Sequence, residues 1–320
     1  MAIVIDAFAH HLPTSFAEKP LEVHPTDELR KLLKHNYFPD METRVRVLDK
    51  VGFDKQVLTI ARPTTWIGLA PDLFPKMTRL SNDAIADDAK KFPDRFLPVG
   101  TLLYPTEEYL PEFDRCVNEL GMAGIQIFSN IFGVPLDDPS FRPFFARAND
   151  TKTPIWIHPQ LAGLSTDYAL DKSLGWPFET SLALGRLVFS GMMAQYPNLT
   201  IIAHHMGGMI TEYSGRLQGF YQIRDTFPGT GFIALPKDPL EYFKRFYVDT
   251  ALAGAVHALE SGYKFFGAEH LVMATDYPYG PDKGERWARV EPAMLDKISG
   301  MSQAEKELIL GGNMQSLLRR

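Results

Sequence analysis

Eight short apolar segments, separated by longer amphipathic stretches, constrain the fold of this chain more than any other feature of its sequence. They lie at 3–8, 56–60, 95–102, 124–128, 154–158, 199–204, 246–249 and 271–276. Most are nearly continuous runs rich in β-branched residues, which is typical of strands buried on both faces of a parallel sheet. Helical patterns fit between them, as at 43–50, 83–91, 108–120 and 141–149. Strands and helices in this alternation predict an α/β protein with a (β/α)8 TIM barrel.

The length of 320 residues is the usual size of one such barrel, so we expect a single domain over residues 1–320. A doubly wound open sheet is the alternative, but no Gly-x-Gly-x-x-Gly follows the first segment. The connection after the second strand and the segment 160–179 are longer than a minimal loop. Long loops at the carboxyl ends of barrel strands commonly form the functional site.

Charge and cysteine content exclude several classes of protein. The net charge of −6 would repel phosphate backbones, which argues against non-specific nucleic-acid binding. The single cysteine, Cys116, excludes an intrachain disulfide and a cysteine-rich zinc site, and we expect it to be buried in a helix. No apolar run approaches the ~20 residues of a membrane span, and the first residues lack the pattern of a signal peptide. The sequence therefore predicts a protein of the cytoplasm.

Imidazole and carboxylate side chains stand at the ends of five of the apolar segments. They are His10 and His11, His158, His204 and His205, Asp249, and Asp276. Because strand ends of one sense converge on one face of a barrel, we expect them to meet there and to bind a metal or move protons. One histidine at a strand end is more often a hydrogen-bonded core residue than a ligand, but a converging set is costly to bury unless its members are paired.

Motifs spread over nearly the whole chain point to a known family. They are Ile5-Asp6 with His10-His11-Leu12-Pro13, Gly124-Ile125-Gln126-Ile127, Pro154-Ile155-Trp156-Ile157-His158-Pro159, Pro177-Phe178-Glu179-Thr180, Ala203-His204-His205-Met206-Gly207-Gly208, Gly215-Arg216, Phe246-Tyr247-Val248-Asp249, Ala274-Thr275-Asp276-Tyr277-Pro278 and Gly312-Asn313. In their order and spacing the chain resembles the amidohydrolase-2 branch of the amidohydrolase superfamily, and within it the aminocarboxymuconate-semialdehyde decarboxylases and related decarboxylases.

The resemblance implies a distorted (β/α)8 barrel with a mononuclear metal centre, usually zinc. Carried over by position, the metal ligands are His10, His158 and Asp276. The catalytic histidine becomes His205, and Asp276 is a second group that could move a proton. We assign His205 because the arginine of the family motif stands eleven residues after that histidine, as Arg216 does here.

One position departs from the family pattern. Phe8 stands where the family has the first metal-binding histidine, and phenylalanine cannot bind a metal. Phe8 and His10 face the same side of a strand, whereas His11 faces the opposite side unless the chain bends after His10. Two outcomes remain open: zinc or another divalent ion is held by His10, His158, Asp276 and water, or the metal is weak or absent and the histidines act by proton transfer alone.

The resemblance implies a non-oxidative, metal-dependent decarboxylase of an aromatic or unsaturated carboxylic acid, with His205 as general acid or base. The alternatives are a hydrolase or hydratase of a small lactone, amide or enol on the same scaffold, and a metal-free relative that binds a small acid. The candidate substrate contacts are Arg216, Phe8, His204 and Trp176. His204, the neighbour of the catalytic histidine, either points elsewhere or contacts substrate.

Three arginines complete the candidate residues. Arg216 resembles a family arginine that reaches the site of a neighbouring subunit, which implies a homodimer. Its other interpretation is an ion pair on a helix surface. Arg44 and Arg46 are further candidates for binding a substrate carboxylate, but ordinary helix surface is the preferred interpretation of both.

Overall fold

A ring of short parallel strands with helices outside it forms the framework of the chain. The computed structural model describes residues 3–23, 27, 30, 38–60, 71–160 and 167–318. Its strands are β1 Ile5–His11, β2 Lys55–Ile60, β3 Phe96–Pro98, β4 Gly100–Thr101, β5 Ile125–Phe128, β6 Asn130–Ile131, β7 Val134–Pro135, β8 Ile155–His158, β9 Ile201–Ala203, β10 Tyr247–Asp249 and β11 Leu271–Val272. Its α-helices are α1 Thr14–Ala17, α2 Lys19–Val23, α3 Met41–Val51, α4 Phe74–Lys90, α5 Leu110–Asn118, α6 Arg142–Thr151, α7 Trp176–Phe189, α8 Met192–Gln195, α9 Ile210–Gln222, α10 Pro239–Phe243, α11 Val256–Phe266, α12 Glu285–Met294, α13 Gln303–Glu307 and α14 Asn313–Leu318.

The strands follow one another around the ring in the order of a barrel. Strands β1, β2 and β3 form one parallel sheet, and β4, β5, β8, β9, β10 and β11 form a second, in that order. Backbone hydrogen bonds bridge both seams between the sheets, since the amide of Val99 donates to Leu58 O over 3.0 Å and that of Ala7 to Met273 O over 2.7 Å. The predicted (β/α)8 barrel is confirmed.

All eight predicted strands are present, but two of them are interrupted. The third is divided into β3 and β4 after Pro98, whose nitrogen has no hydrogen to donate to the ladder. The eighth pairs only over Leu271–Val272, and the amide of Met273 donates instead to Ile309 O over 3.0 Å. Residues 273–276 therefore leave the ladder with β10 but stay hydrogen-bonded to β1, since Met273 O accepts from Ala7 and the amide of Asp276 donates to Phe8 O over 3.2 Å.

Helix α3 has one buried side that includes an arginine. Asp40 caps its start by accepting a hydrogen bond from the amide of Thr43 over 2.6 Å, and Gly52 ends it with a φ of 84°. Arg44 is 0% exposed, because it lies on the buried side of the helix. The assignment of Arg44 to the helix surface is therefore wrong, whereas Arg46 is exposed as expected.

Residues 61–70 and 161–166, parts of the two connections expected to be long, lie outside the described residues. Cys116 is buried in α5, as predicted. None of the helices within the described ranges combines the length and the apolar character needed to cross a membrane.

Candidate active site

The last two residues of β1 point to opposite sides of the barrel wall. His10 Nε2 lies 3.0 Å from Asp276 Oδ1, inside the barrel end. His11 Nε2 lies 2.7 Å from Asp88 Oδ2, on the side of α4. The alternation follows from the two-residue period of a strand, so His11 does not substitute for the family ligand that is missing at position 8.

Three imidazoles meet inside the carboxyl end of the barrel. One ring nitrogen from each of His10, His158 and His204 lies within 4.8 Å of the others. The ring centroids are 5.0 Å apart for His10 and His158, 5.7 Å for His10 and His204, and 5.8 Å for His158 and His204. Asp276 joins the group through Oδ1, which is 3.3 Å from His204 Nε2. Nitrogen and carboxylate donors in a buried cluster of this kind suit zinc and other divalent ions.

Hydrogen bonds to Nδ1 determine which ring nitrogen of His10 and His158 carries the proton. Thr59 Oγ1 donates to Ala9 O over 3.0 Å and so accepts from His10 Nδ1, also 3.0 Å away. His158 Nδ1 lies 2.7 Å from Pro159 O, which can only accept. Both rings therefore present the lone pair of Nε2, as metal-binding histidines usually do.

The closest pair in the cluster shows that the donors fit a cation. His10 Nε2 is buried and has no hydrogen-bond partner, although Asp276 Oδ1 is only 3.0 Å away. With the proton of His10 on Nδ1, both of these atoms are acceptors. Two buried acceptors at this separation repel one another unless a cation or a further proton lies between them.

His204 lies between two carboxylates. Its Nδ1 hydrogen-bonds to Asp249 and its Nε2 faces Asp276. Burial lowers the pKa of His204, but the two carboxylates outweigh burial and raise the pKa to about 10. Asp249 belongs to the strand-end residues that were expected to meet, and the structure adds that it is the partner of His204.

The Phe8 ring packs against all three imidazoles of the cluster. It is fully buried, and its ring centroid lies 4.1 Å from that of His204, 5.6 Å from His10 and 6.2 Å from His158. The assignment of Phe8 as a substrate contact is corrected, because no part of its side chain is exposed. His204 is 1% exposed and points into the cluster, so it neither points elsewhere nor presents a surface to substrate.

His205 is the partly exposed imidazole of the group. It follows the end of β9 with a φ of 53°, and its amide donates to Asp249 Oδ1 over 2.9 Å. Its ring stacks on that of His204, with centroids 3.8 Å apart, and lies 14° from the plane of Trp176 at 6.3 Å. Burial, and then the charge on His204, lowers the pKa of His205 to about 4. The imidazole is therefore neutral at neutral pH, and its Nδ1 has no hydrogen-bond partner.

Trp176 lies beside the imidazole cluster, whereas Arg216 is exposed on another helix. The Trp176 ring, at the start of α7, lies 5.8 Å from that of His158 as well as beside His205. Arg216 is exposed on α9, and its guanidinium carbon lies 5.3 Å from the Phe220 ring centroid. Among the residues that the structure describes, the aromatic partner of Arg216 is thus on its own helix and not in the imidazole cluster.

A buried chain of hydrogen bonds lies behind the site. Arg44 donates to His10 O over 2.6 Å and to Gln56 Oε1 over 2.7 Å. Gln56 Nε2 donates to Asp6 Oδ2 over 2.7 Å, and Asp6 accepts from the hydroxyl and the amide of Thr275 over 2.6 Å and 3.0 Å. Burial raises the pKa of Asp6 to about 6 and lowers that of Arg44 to about 10. The chain connects the backbone of β1 to the turn after β11, so it holds the two segments that carry candidate ligands.

A further buried carboxyl group lies near the loop that follows Asp249. Glu291, on α12, is 0% exposed, and burial raises its pKa from 4.5 to about 8 although the backbone amides of residues 252–254 oppose the rise. Since the pKa is higher in the folded chain, its contribution to stability is fully present below pH 4.5 and is lost as pH rises through about 8.

We therefore expect Glu291→Gln to leave the melting temperature nearly unchanged at pH 5 and to raise it by at least about 2 °C at pH 9. Thermal denaturation at both pH values measures the difference. The control is Glu307→Gln, an exposed glutamate on α13, which should show no such dependence on pH. Equal effects of Glu291→Gln at pH 5 and pH 9 would contradict the prediction.

Known proteins resemble this chain over most of its length. A family model described as amidohydrolase matches residues 68–320. A 2-amino-3-carboxymuconate-6-semialdehyde decarboxylase of Dictyostelium discoideum is 32% identical over 283 residues, which cover 87% of this chain and 76% of that protein. A gamma-resorcylate decarboxylase of Rhizobium sp. (strain MTP-10005) is 27% identical over 271 residues, which cover 78% of this chain and 80% of that protein.

Solved structures share the fold. A 5-carboxyvanillate decarboxylase from Novosphingobium aromaticivorans superposes with a TM-score of 0.82 and 24% sequence identity, over 100% of this chain and 96% of that one. That protein was crystallised with manganese and 4-hydroxy-3-methoxy-5-nitrobenzoic acid. At this identity the likeness establishes the same barrel architecture.

Proposed function

Since this chain belongs to the amidohydrolase family, we propose that it is a non-oxidative decarboxylase of an aromatic or unsaturated carboxylic acid, a carbon–carbon lyase that requires a divalent metal. The named relatives confirm the prediction of a carboxy-lyase at the level of reaction class. The observation that carries the proposal is the position of His205, a neutral and partly exposed imidazole beside a buried cluster of metal-type donors.

His10, His158 and Asp276 would hold the metal. Two observations support this assignment. Each of the two histidines presents the lone pair of its Nε2. A cation would also remove the repulsion between His10 Nε2 and Asp276 Oδ1. The chemistry that a divalent cation supplies there is Lewis acidity, which polarises the oxygens of a carboxylate substrate. Zinc is the metal that we propose.

Decarboxylation leaves an electron pair that must receive a proton. The bond between the substrate carbon and its carboxylate breaks, CO₂ departs, and the electron pair of that bond forms a new C–H bond. His205 is the group that we assign to move this proton, because it is the partly exposed imidazole beside the cluster. Asp276 is a second group for proton movement. Trp176 offers a flat apolar wall for a planar substrate, nearly parallel to His205.

Arg216, which is exposed and outside the cluster of its own chain, would serve the carboxylate site of a neighbouring protomer in a homodimer. We also propose that residues 1–320 form one barrel domain and that the protein acts in the cytoplasm. Sedimentation velocity of the wild type and of Arg216→Ala, each at several concentrations, tests the dimer.

The decisive experiment measures CO₂ release from a panel of hydroxybenzoates and muconates, with protein whose bound metal has been quantified. We expect at least one substrate to yield one CO₂ per molecule consumed, and activity to fall by at least about 100-fold when a chelator removes the metal, because loss of the Lewis acid removes several kcal/mol of stabilisation. Restored activity after addition of zinc or manganese completes the result. Hydrolysis of lactones or amides without any CO₂ release would instead favour a hydrolase and refute the proposal.

A further inference from the structure

His204, the third imidazole of the cluster, has a hydrogen-bond partner on Nδ1, as His10 and His158 do. His204 Nδ1 faces the carboxylate of Asp249, which can only accept a hydrogen bond, so Nδ1 carries a proton. A cation bound at Nε2 would replace the second proton that the charged ring carries there. The hydrogen-bonded partners of Nδ1 in His10 and His158 have the same effect on those rings. A carboxylate on the far nitrogen both orients an imidazole and increases its basicity as a ligand.

The Nε2 atoms of His204 and His10 both face Asp276 Oδ1. Asp276 Oδ1 lies 3.0 Å from His10 Nε2 and 3.3 Å from His204 Nε2. A single carboxylate oxygen thus faces two imidazole nitrogens. A ring nitrogen of His158 lies within 4.8 Å of a ring nitrogen of His10 and of His204. All four residues are at least nine-tenths buried.

Phe8 accounts for the position of this ring. The Phe8 side chain rises from β1 on the same side as His10 and packs against His204 with a centroid distance of 4.1 Å. It fills space beneath the cluster with apolar surface and leaves His204 little freedom to turn away. His205 also places a ring nitrogen within 4.8 Å of donor atoms of His204 and Asp276. It differs from the other three imidazoles because its ring is partly exposed and its Nδ1 has no hydrogen-bond partner that would orient it.

We infer that His204 is a metal ligand, and that the cation is held by three histidines, His10, His158 and His204, together with Asp276. His204, from the sixth strand of the barrel, supplies the third nitrogen that the first strand cannot provide because residue 8 is phenylalanine. The inference rests on the proposed metal-dependent function. It assigns Asp249 the role of a positioning residue, which holds His204 through Nδ1.

The test compares zinc affinity among variants by competition with a chromogenic chelator. We expect His204→Ala to weaken zinc binding by about 100-fold or more, since even the loss of a group that only orients a ligand costs about 10–100-fold. His257→Ala, at an exposed histidine of α11, is the matched control, and its zinc affinity should stay within about 3-fold of wild type, as expected for a surface substitution. In the double variant Phe8→His/His204→Ala, a histidine on the first strand should recover at least about 10-fold of the lost affinity.

A measurement on the wild type makes the test independent of how the variants fold. X-ray absorption of the zinc-loaded protein should show scattering from three imidazoles. Two imidazoles, or wild-type zinc affinity in a folded His204→Ala variant, would overturn the inference while leaving the proposed function intact. Failure of the wild type to bind zinc, manganese or cobalt would overturn both the inference and the metal dependence. Three imidazoles without CO₂ release from any substrate would refute only the proposed reaction.

Discussion

Replacing His205 with asparagine is expected to reduce kcat for CO₂ release by about 10²–10⁴-fold, the usual contribution of a positioned proton-transfer group. The imidazole of His205 is neutral, partly exposed and stacked beside Trp176, so it is the group that the structure offers for proton transfer. Asparagine tolerates the φ of 53° at this position, which keeps the turn and removes only the imidazole. Steady-state kinetics and zinc quantification on the same samples measure the result.

The control for this experiment is His257→Asn, a change of the same type at an exposed histidine of α11. It should leave kcat within about 2-fold of wild type, as expected for a surface substitution. Zinc content in His205→Asn should also match the wild type. If His205→Asn retains more than about a tenth of wild-type kcat, proton transfer by this residue is not required and the assignment fails.

Replacing Arg44 with methionine is expected to lower the free energy of unfolding by about 3–5 kcal/mol, the cost of removing one partner from a buried charged network. Arg44 is wholly buried and donates hydrogen bonds to His10 O and Gln56, which in turn donates to Asp6. Without the guanidinium, the carbonyl of His10 loses a hydrogen-bond donor. The carboxyl of Asp6 also loses the positive charge to which Gln56 connects it. Chemical denaturation at pH 7 measures the change.

Arg46→Met provides the matched control, since Arg46 is exposed on the same helix and donates only to Thr43 among the described residues. It should alter the free energy of unfolding by less than about 0.5 kcal/mol. Because Arg44 holds the backbone of His10, Arg44→Met should also weaken zinc binding. Equal stability of the two variants would show that the buried chain of hydrogen bonds contributes little to the fold.

The barrel could be predicted from the sequence because its determinants are local. Each strand is a short apolar run. For two of the strands, Pro93 and Pro154 mark the turn at which the strand begins. The end of each strand also indicated which polar residues would meet, since topology brings parallel strand ends together. The cluster of His10, His158 and His204 beside Asp276 follows from that rule.

The contacts that the sequence did not predict join residues far apart in the chain. Arg44 is buried because Gln56 and His10 O lie on neighbouring strands, and an amphipathic pattern within one helix does not distinguish such a partner from solvent. Likewise, Asp249 holds His204 across 45 positions of sequence. The orientation of His204 and His205 also depends on backbone torsions after β9, which residue identity alone does not determine.

The two residues that bear most of the proposed chemistry occupy left-handed backbone conformations. The φ angles are 53° at His205 and 59° at Asp276, and conformations of this type cost about 1–3 kcal/mol each in residues other than glycine. Selection for heat resistance would therefore favour glycine or asparagine at these positions and would eliminate activity while improving the melting temperature. A library of this protein screened for thermostability needs a parallel screen for turnover, or its best-scoring members will be inactive.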